Sequence, residues 1–278
     1  MWVTVASVKG SGVTSLAVAL AARWPTPGAV VVEADSSGGD LAFRFGHHRE
    51  PGLSDLAADT RAGDAGRDLA AYTQRIAVGV DVVFAPADQL AASDGDDERA
   101  PRLDEPGESV RSVRLVAHNC LGLLRTAAAD RLVVVDVGRL DWSSPALPLA
   151  TAADVLLLVT RAGVDGIDAV QVRRERILAL CGLRAAVRLV LAGRPPCPAE
   201  EIARVVGLPV AGVVPDDRRG AAVVSGRTRP GWGWTRLELL RAARALALSL
   251  HAETTPGPVK PRPGGAPARA VPVEVSRP

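Results

Sequence analysis

Short apolar segments alternate with longer helix-forming segments along almost the whole chain. Seven segments have the length and the aliphatic composition of buried strands: residues 2–6, 29–33, 81–85, 131–136, 154–160, 187–192 and 210–214. Six helices are predicted between and after them: residues 14–24, 53–72, 109–129, 165–181, 198–206 and 235–251. This alternation predicts an α/β fold, with a doubly wound, mostly parallel sheet and helices on both faces. A ligand is then expected at the carboxyl ends of the strands.

The composition fits one large domain followed by a tail. The chain has 278 residues, of which 47% are hydrophobic, so it has enough apolar side chains for one sizeable core. We predict a folded domain over residues 1–252. Residues 253–278 are rich in proline, glycine and alanine and are predicted to be disordered, because they cannot bury enough apolar surface to fold alone.

Charge and cysteine content narrow the class of protein. The net charge of +2 indicates no particular partner, and no sequence-specific nucleic-acid-binding motif is evident. The three cysteines are widely spaced and lack a Cys-x-x-Cys pair, which favours reduced structural thiols over disulfides or zinc ligands. The first residues do not form a signal peptide, and no apolar run reaches the length of a transmembrane span. We therefore expect a soluble, cytoplasmic protein.

The first strand runs into a glycine-rich turn that opens the first helix. This turn contains the only lysine among the first 259 residues, and its sequence is Lys9, Gly10, Ser11, Gly12, Val13, Thr14 and Ser15. A P-loop binds phosphate through successive backbone N–H groups, a lysine and a hydroxyl that holds Mg²⁺. Two registers remain open. Either Val13 occupies the lysine position and Thr14 supplies the hydroxyl, or Thr14 occupies the lysine position and Ser15 supplies it.

Three carboxylates lie where two other predicted strands end. Glu33 is the last residue of the second strand, Asp35 follows it, and a glycine pair comes soon after them. Asp136 ends the strand 131–136, where a P-loop protein places the Walker B carboxylate that orients Mg²⁺. An aspartate at a strand end is often only a turn or helix cap, so the order of the motifs carries more weight than any one of them.

The ordered motifs resemble one family of nucleotide-binding proteins. After the glycine loop come Glu33-Ala34-Asp35, Gly38-Gly39-Asp40-Leu41, Pro51-Gly52-Leu53, Val135-Asp136 and Gly212-Val213-Val214-Pro215-Asp216-Asp217. In this order they are similar to the MinD/ParA group of deviant Walker A ATPases over about residues 1–250. The Gly-Gly-Asp-Leu and Pro-Gly-Leu segments most resemble its CpaE/TadZ-like members, which are associated with pili and cell poles.

The resemblance implies a homodimer gated by ATP and Mg²⁺, with a protein partner in a positioning, secretion or pilus-type system and with peripheral membrane contact as one mode of attachment. By position, the catalytic residues would be Lys9, which bridges to the partner subunit's nucleotide, together with Asp35 and Glu33. Nucleotide would contact the glycine loop from Lys9 to Ser15, and also Pro215 and Asp217. The metal ligands would be Thr14 or Ser15 and Asp136.

The chain also departs from the family pattern. The glycine loop is one residue short and lacks its lysine, Asp136-Val137-Gly138 lacks the usual proline, and Leu191-Ala192-Gly193-Arg194 lacks the asparagine that commonly contacts adenine. These losses suggest a degenerate P-loop and weak nucleotide binding or inefficient hydrolysis. Three functional classes remain open: a positioning or assembly regulator, a slow ATPase that cycles between monomer and dimer, and a scaffold that works without nucleotide.

Three further segments carry structural expectations. The acidic residues 93–108 are predicted to form a solvated surface loop. The amphipathic helix near the C-terminal end of the domain is expected to pack on the sheet rather than on a membrane. Trp232 and Trp234, which stand beside two arginines on a glycine-rich loop, are expected to pack against the domain, with an interaction surface as the alternative.

Overall fold

An eight-stranded sheet forms the centre of the protein in the computed structural model, which describes residues 1–10, 12–61, 68–87, 106–181 and 185–254. The strands are β1 (Trp2–Ser7), β2 (Val30–Glu33), β3 (Gln74–Arg75), β4 (Asp81–Val83), β5 (Val133–Arg139), β6 (Val155–Arg161), β7 (Ala186–Ala192) and β8 (Val210–Val214). Their order across the sheet is β3-β4-β2-β5-β1-β6-β7-β8. All neighbouring strands pair in parallel except β3 and β4, which are antiparallel.

Helices cover both faces of this sheet. They are α1 (Val13–Ala22), α2 (Leu41–Phe45), α3 (Leu53–Arg61), α4 (Glu108–Asn119), α5 (Leu121–Asp130), α6 (Leu147–Thr151), α7 (Val164–Gln171), α8 (Arg174–Cys181), α9 (Ala199–Val206), α10 (Arg218–Val224) and α11 (Glu238–Thr254). Two 3₁₀ turns, Leu69–Tyr72 and Trp234–Arg236, precede β3 and α11. The α/β, doubly wound architecture predicted from the sequence is therefore confirmed.

Two apolar cores lie on opposite faces of the sheet. Helices α3 to α9 pack on one face, and α1, α2, α10 and α11 pack on the other. The alternation of β1 separates them, because Trp2 and Ala6 belong to the first core and Val3 and Val5 to the second. Strand β1 is therefore buried on both faces at the middle of the sheet, and the loop that follows it emerges at the centre of the carboxyl edge.

Several predicted helices are shorter or divided. The helix predicted over 53–72 is α3 followed, after residues outside the described ranges, by a 3₁₀ turn. The helix predicted over 109–129 breaks at Cys120, whose ψ of 4° leaves the helical range. The helix predicted over 165–181 is divided into α7 and α8. Strand β3 and helices α2, α6 and α10 were not predicted.

The last helix packs on the sheet, as predicted. Leu240, Ala243, Ala247 and Leu250 of α11 are fully buried in the core that also contains α1. The helix ends at Thr254, and the predicted tail beyond it lies outside the described residues. No described helix is both long and apolar enough to cross a membrane.

The acidic segment 93–108 and the segment with Trp232 and Trp234 each differ in part from their predictions. Glu108, assigned to the acidic loop, instead begins α4, and residues 93–105 lie outside the described ranges. Trp234 is half-buried against the core, but Trp232 is 95% exposed. The expectation that both tryptophans pack against the domain is therefore wrong for Trp232, because its flanking glycines carry the ring away from the core.

Candidate nucleotide site

The glycine-rich loop turns sharply between β1 and α1. Gly10 and Gly12 have φ angles of 72° and 75°, in the left-handed region that favours glycine. The Gly10 N–H donates to the hydroxyl of the buried Ser7 at 2.6 Å, which fixes the start of the loop. Ser11 lies outside the described residues. The loop leads into the N-terminus of α1, where the free backbone N–H groups favour an anion.

Lys9 lies on the exposed surface of this loop. Its ammonium donates to the backbone carbonyl of Asp165 at 3.4 Å, at the beginning of α7. No ion pair holds Lys9 in the described part of the chain. The Lys9 side chain is therefore anchored weakly at one side of the loop and is free to contact an anionic ligand.

The first turn of α1 directs its three side chains to different surroundings. The Val13 side chain is buried in the apolar core, so only its backbone N–H is available to a phosphate. The half-buried Thr14 brings its hydroxyl to the Asp136 carboxyl, and Ser15 lines a cavity beside the loop. Thr14 thus faces the carboxylate at the end of β5, and Ser15 faces the cavity.

Asp136 is a fully buried carboxylate with one uncommitted oxygen. Its Oδ1 accepts a hydrogen bond from the Gly138 N–H at 2.9 Å, whereas its Oδ2 has no hydrogen-bond partner among the described residues. Burial raises the pKa of Asp136 to about 6, against the lowering effects of the Thr14 hydroxyl and the Gly138 N–H, and Asp35 and Asp40 raise it further. A buried carboxylate oxygen without a hydrogen-bond partner is costly to the fold, so a group that would pair with this oxygen is expected.

Glu33 lies directly beside Asp136, because the two residues are paired in the β2–β5 register. Its oxygens accept three backbone hydrogen bonds, from Asp40 at 3.0 Å, Leu41 at 3.2 Å and Ala85 at 3.1 Å. Burial raises the pKa of Glu33 to about 7, and these three N–H groups oppose the shift. Glu33 therefore ties the loop before α2 to the end of β4, and its oxygens already have partners.

Asp35 completes this group of carboxylates. Its Oδ1 accepts from the Ser37 N–H at 2.9 Å, and burial raises its pKa. Its carboxyl sits over Gly138, where an added β-carbon would overlap the Asp35 Oδ2. Gly138 also has a φ of 58°, so a side chain there would both overlap Asp35 and strain the backbone. This close approach is produced only by the pairing of β2 with β5, so it was not predictable from the sequence.

A cavity of about 580 Å³ opens on the other side of the glycine loop. Gly10, Gly12 and Ser15 line one wall, and residues 215–217 after β8 line another. This volume is typical of small-molecule sites. The cavity lies at the end of the β6–β8 half of the sheet, whereas Glu33, Asp35 and Asp136 belong to the β2–β5 half. The loop after β1 lies between these two halves and borders both groups of residues.

Pro215 and Asp217, the residues after β8 that were predicted to contact nucleotide, differ in whether they are available to a ligand. Pro215 lines the cavity. The carboxylate of Asp217 caps α10 by accepting from the Gly220 N–H at 2.9 Å, and it also accepts from the Leu239 N–H at 3.1 Å. These backbone hydrogen bonds lower the pKa of Asp217 against the effect of its burial. Asp217 thus joins α10 to α11 at the edge of the cavity.

Two arginines bring positive charge to the cavity. Arg161 ends β6 and Arg194 follows β7, and both line the cavity as exposed side chains. Arg161 was not among the predicted site residues, although its position at the end of a buried strand places it at the ligand-binding edge. These guanidinium groups lie in the same cavity as the glycine loop, which itself carries only Lys9.

The side chains present can accommodate magnesium only together with an anionic ligand. The described residues contain no group of three or more His, Cys, Asp or Glu side chains that could hold a metal ion. The Thr14 hydroxyl and the uncommitted Asp136 oxygen are nevertheless the hard donors that Mg²⁺ prefers, and Mg²⁺ commonly takes its other ligands from phosphates and water. The donor set therefore fits a metal that arrives with a nucleotide.

Comparison with solved structures decides the fold. A ParA family ATPase from Chlorobium tepidum superposes with a TM-score of 0.61 at 16% identity, covering 90% of this chain and 98% of its own. The chain has the MinD/ParA fold. A chain of the Aquifex aeolicus MinC:MinD cell division complex matches with a TM-score of 0.63 at 13% identity, covering 92% and 98% of the two chains.

A third structure with the MinD/ParA fold is the septum site-determining protein MinD from Pyrococcus horikoshii, determined with Mg-ADP. It matches with a TM-score of 0.60 at 17% identity and covers 90% of this chain and 95% of its own. No protein-family model and no curated protein sequence matches the chain. The likeness therefore lies in the three-dimensional arrangement rather than in close sequence similarity.

Proposed function

We propose that this protein is a positioning or assembly regulator that binds ATP with Mg²⁺ weakly and hydrolyses it inefficiently. The observation that carries the proposal is Asp136, which is fully buried, has one oxygen without a partner in the described part of the chain and lies against the Thr14 hydroxyl. A buried carboxylate with an unpaired oxygen contributes little to the stability of the fold, but it suits a site that Mg²⁺ and phosphate complete.

The position of Thr14 favours one register of the glycine loop. With Thr14 as the metal-binding hydroxyl, Val13 takes the place of the P-loop lysine, and Val13 is buried in the core. Neutralisation of the phosphates is left to Lys9 and to the arginines of the cavity. Loss of a fixed electrostatic stabiliser commonly lowers the rate of a reaction by about a hundredfold or more. This is why we propose binding without efficient turnover and a degenerate Walker A loop.

Structures with the same fold suggest the ligands and the assembly. One of them was determined with Mg-ADP, another, a plasmid partition protein from Borrelia burgdorferi, with AMPPNP, and a third is a MinC:MinD complex. By analogy we propose ATP and Mg²⁺ as ligands, a homodimer bridged by Lys9 and a protein partner. A CpaE/TadZ-like role in the cytoplasm, with a folded domain over residues 1–252 and a tail over 253–278, completes the proposal.

A thermal-shift titration tests nucleotide binding. We expect about 5 mM Mg-ATP to stabilise the native state by roughly 1–2 kcal/mol if the dissociation constant is near 0.5 mM, which is a rise of several degrees in melting temperature. Without Mg²⁺ the rise should shrink, and in Asp136→Asn it should be lost. Arg111→Ala, on the exposed surface of α4, is the matched control and should behave as the native protein.

The same samples separate the remaining functions. Sedimentation with Mg-ATP should show a dimer that Lys9→Ala abolishes, since the bridging role assigns Lys9 to the partner subunit's nucleotide. Sustained phosphate release would instead establish the slow ATPase. The absence of any shift at millimolar ATP, ADP or GTP would exclude both and leave a nucleotide-independent scaffold.

A further inference from the structure

A second recess lies away from the glycine loop, between α10 and the tryptophan-containing segment that precedes α11. It has a volume of about 510 Å³. Its lining includes Arg218, Arg219, Arg229, Trp232, Trp234 and Leu237, and this set of residues is called the Trp-Arg groove below. No Asp or Glu side chain lines the groove among the described residues.

Trp232 is held in an exposed position by ordered backbone. Gly233 has a φ of 76°, and the segment is closed by hydrogen bonds from the Trp234 N–H to the Gly231 carbonyl and from the Arg236 N–H to the Gly233 carbonyl, at 3.2 and 2.9 Å. The Arg236 guanidinium lies 5.2 Å from the centre of the Trp232 ring. A large aromatic surface is thus presented to solvent in a fixed geometry, which reduces the entropy lost on binding.

The arginines of the groove carry charge that the described part of the chain does not neutralise. Arg218, Arg219 and Arg229 are exposed and form no ion pair there. The neighbouring Asp217 directs its carboxylate to the backbone N–H groups of Gly220 and Leu239. Glu238 is exposed at the start of α11 but does not line the groove. The rim of the groove therefore keeps a net positive charge.

The interior of the groove is apolar. Val223 is buried, and the half-buried Trp234 and Leu237 pack against the core that contains α1 and α11. An apolar recess inside a cationic rim matches an apolar side chain flanked by carboxylates. Single-stranded nucleic acid would instead stack successive bases on several open aromatic rings, whereas the Trp234 ring packs against the core. Aromatic and arginine side chains of this kind dominate the binding energy of protein interfaces.

We propose that the Trp-Arg groove binds an acidic peptide segment of a partner protein, with one aliphatic or aromatic side chain inserted between Trp232 and Trp234. The arginines pair with carboxylates on either side of this anchor. The groove does not include the glycine loop, so this inference holds whether or not the chain binds nucleotide.

A displayed library of random peptides of about 12 residues, panned on the full-length protein, provides an unbiased probe. We expect the selected clones to combine several Asp or Glu residues with one large apolar residue. A synthetic peptide from these clones should bind about tenfold more weakly to Trp232→Ala and to the double variant Arg218→Glu, Arg229→Glu. A version of the peptide with lysine in place of its acidic residues should prefer the double variant.

Two matched variants control for general effects of charge and surface. Arg111→Glu reverses an exposed arginine on α4, which packs on the opposite face of the sheet. Phe43→Ala removes an aromatic ring that is 82% exposed on α2. Both should bind the selected peptide as the native protein does, and the melting temperatures of all variants should confirm that they fold.

Four results would overturn the proposal. One is selection of clones without acidic residues, and another is binding that the groove variants do not change. A third is binding of oligothymidylate or phosphatidylglycerol vesicles that exceeds peptide binding and is lost in the same variants, which would assign the groove to nucleic acid or lipid. The fourth is a dimer in sedimentation that these variants abolish, which would assign it to a second copy of the chain.

Discussion

The two neighbouring carboxylates Glu33 and Asp136 differ in how their oxygens are used. Both are buried and both have raised pKa values. Glu33 accepts three backbone hydrogen bonds, whereas Asp136 keeps one oxygen without a partner among the described residues. Their spacing along the sequence could not reveal this difference, because the donors to Glu33 come from a loop and from the end of β4.

The structural role of Glu33 predicts a local effect of the Glu33→Gln substitution. A glutamine oxygen can still accept from Asp40 and Leu41, but the amide NH₂ would then face the Ala85 N–H, which would lose its acceptor. We expect amide hydrogen exchange at Ala85 to accelerate by about tenfold or more, in keeping with one lost buried hydrogen bond. Exchange at Asp40 and Leu41 should change less, and equal acceleration at all three amides would contradict this account.

At the scale of secondary-structure elements, the aliphatic strands were predicted better than the short helices. All seven predicted strands are present, because each is a short, mostly aliphatic run whose length is characteristic of a strand. Helices α2, α6 and α10 have five, five and seven residues, so each is shorter than two full turns and shows no repeated helical pattern in the sequence. The two-residue strand β3 exists only through its pairing with β4. Tertiary contacts, rather than local pattern, determine these elements.

The residues of the candidate site follow the same division. The glycine loop and the strand-end carboxylates were predictable because their neighbours along the chain define them. The contact of Asp35 with Gly138 and the placement of Arg161 in the cavity depend on which strands become neighbours. The exposure of Trp232 depends on the backbone of its flanking glycines, and composition alone suggested that the ring would be packed.

Packing of α11 can be tested with two leucines of the same helix. Leu240 is fully buried, whereas Leu248 is 47% exposed. We expect Leu240→Ala to lower the free energy of unfolding by about 2–5 kcal/mol, because it removes buried methyl groups and leaves a cavity. Leu248→Ala should cost less than about 1 kcal/mol. Urea denaturation measures both, and similar costs would mean that α11 does not seal this face of the sheet.

At the scale of the whole molecule, the order of the strands separates the buried carboxylates from the open cavity. The β2–β5 half contains the buried carboxylates, the β6–β8 half contains the open cavity, and the loop after β1 lies between them. Helix α10 connects this cavity to the Trp-Arg groove, since Asp217 and Ala221 line the first and Arg218 and Ala222 line the second. A ligand in either site would therefore contact the same helix.

Global stability without nucleotide should depend on pH through the two buried carboxylates. Both pKa values are raised, from 4.5 to about 7 for Glu33 and from 3.8 to about 6 for Asp136. Between the ordinary and the raised values the folded state binds more protons than the unfolded state, so this contribution is complete below about pH 4 and is lost as the pH rises towards 7. Asp136→Asn should make the decline shallower and should stabilise the protein at pH 8 by on the order of 1–3 kcal/mol.

Binding of Mg-ATP should follow the opposite trend, because only the ionised Asp136 attracts a cation. Over the same pH range, the protein without nucleotide should become less stable while the increment gained from Mg-ATP becomes larger. Urea denaturation from pH 5 to pH 8, with and without Mg-ATP, measures both trends in native protein and in Asp136→Asn. If Asp136→Asn lowers stability at pH 8, the carboxylate serves the fold. If Asp136→Asn raises stability and removes the stabilisation by Mg-ATP, the buried charge destabilises the fold and serves to bind the ligand.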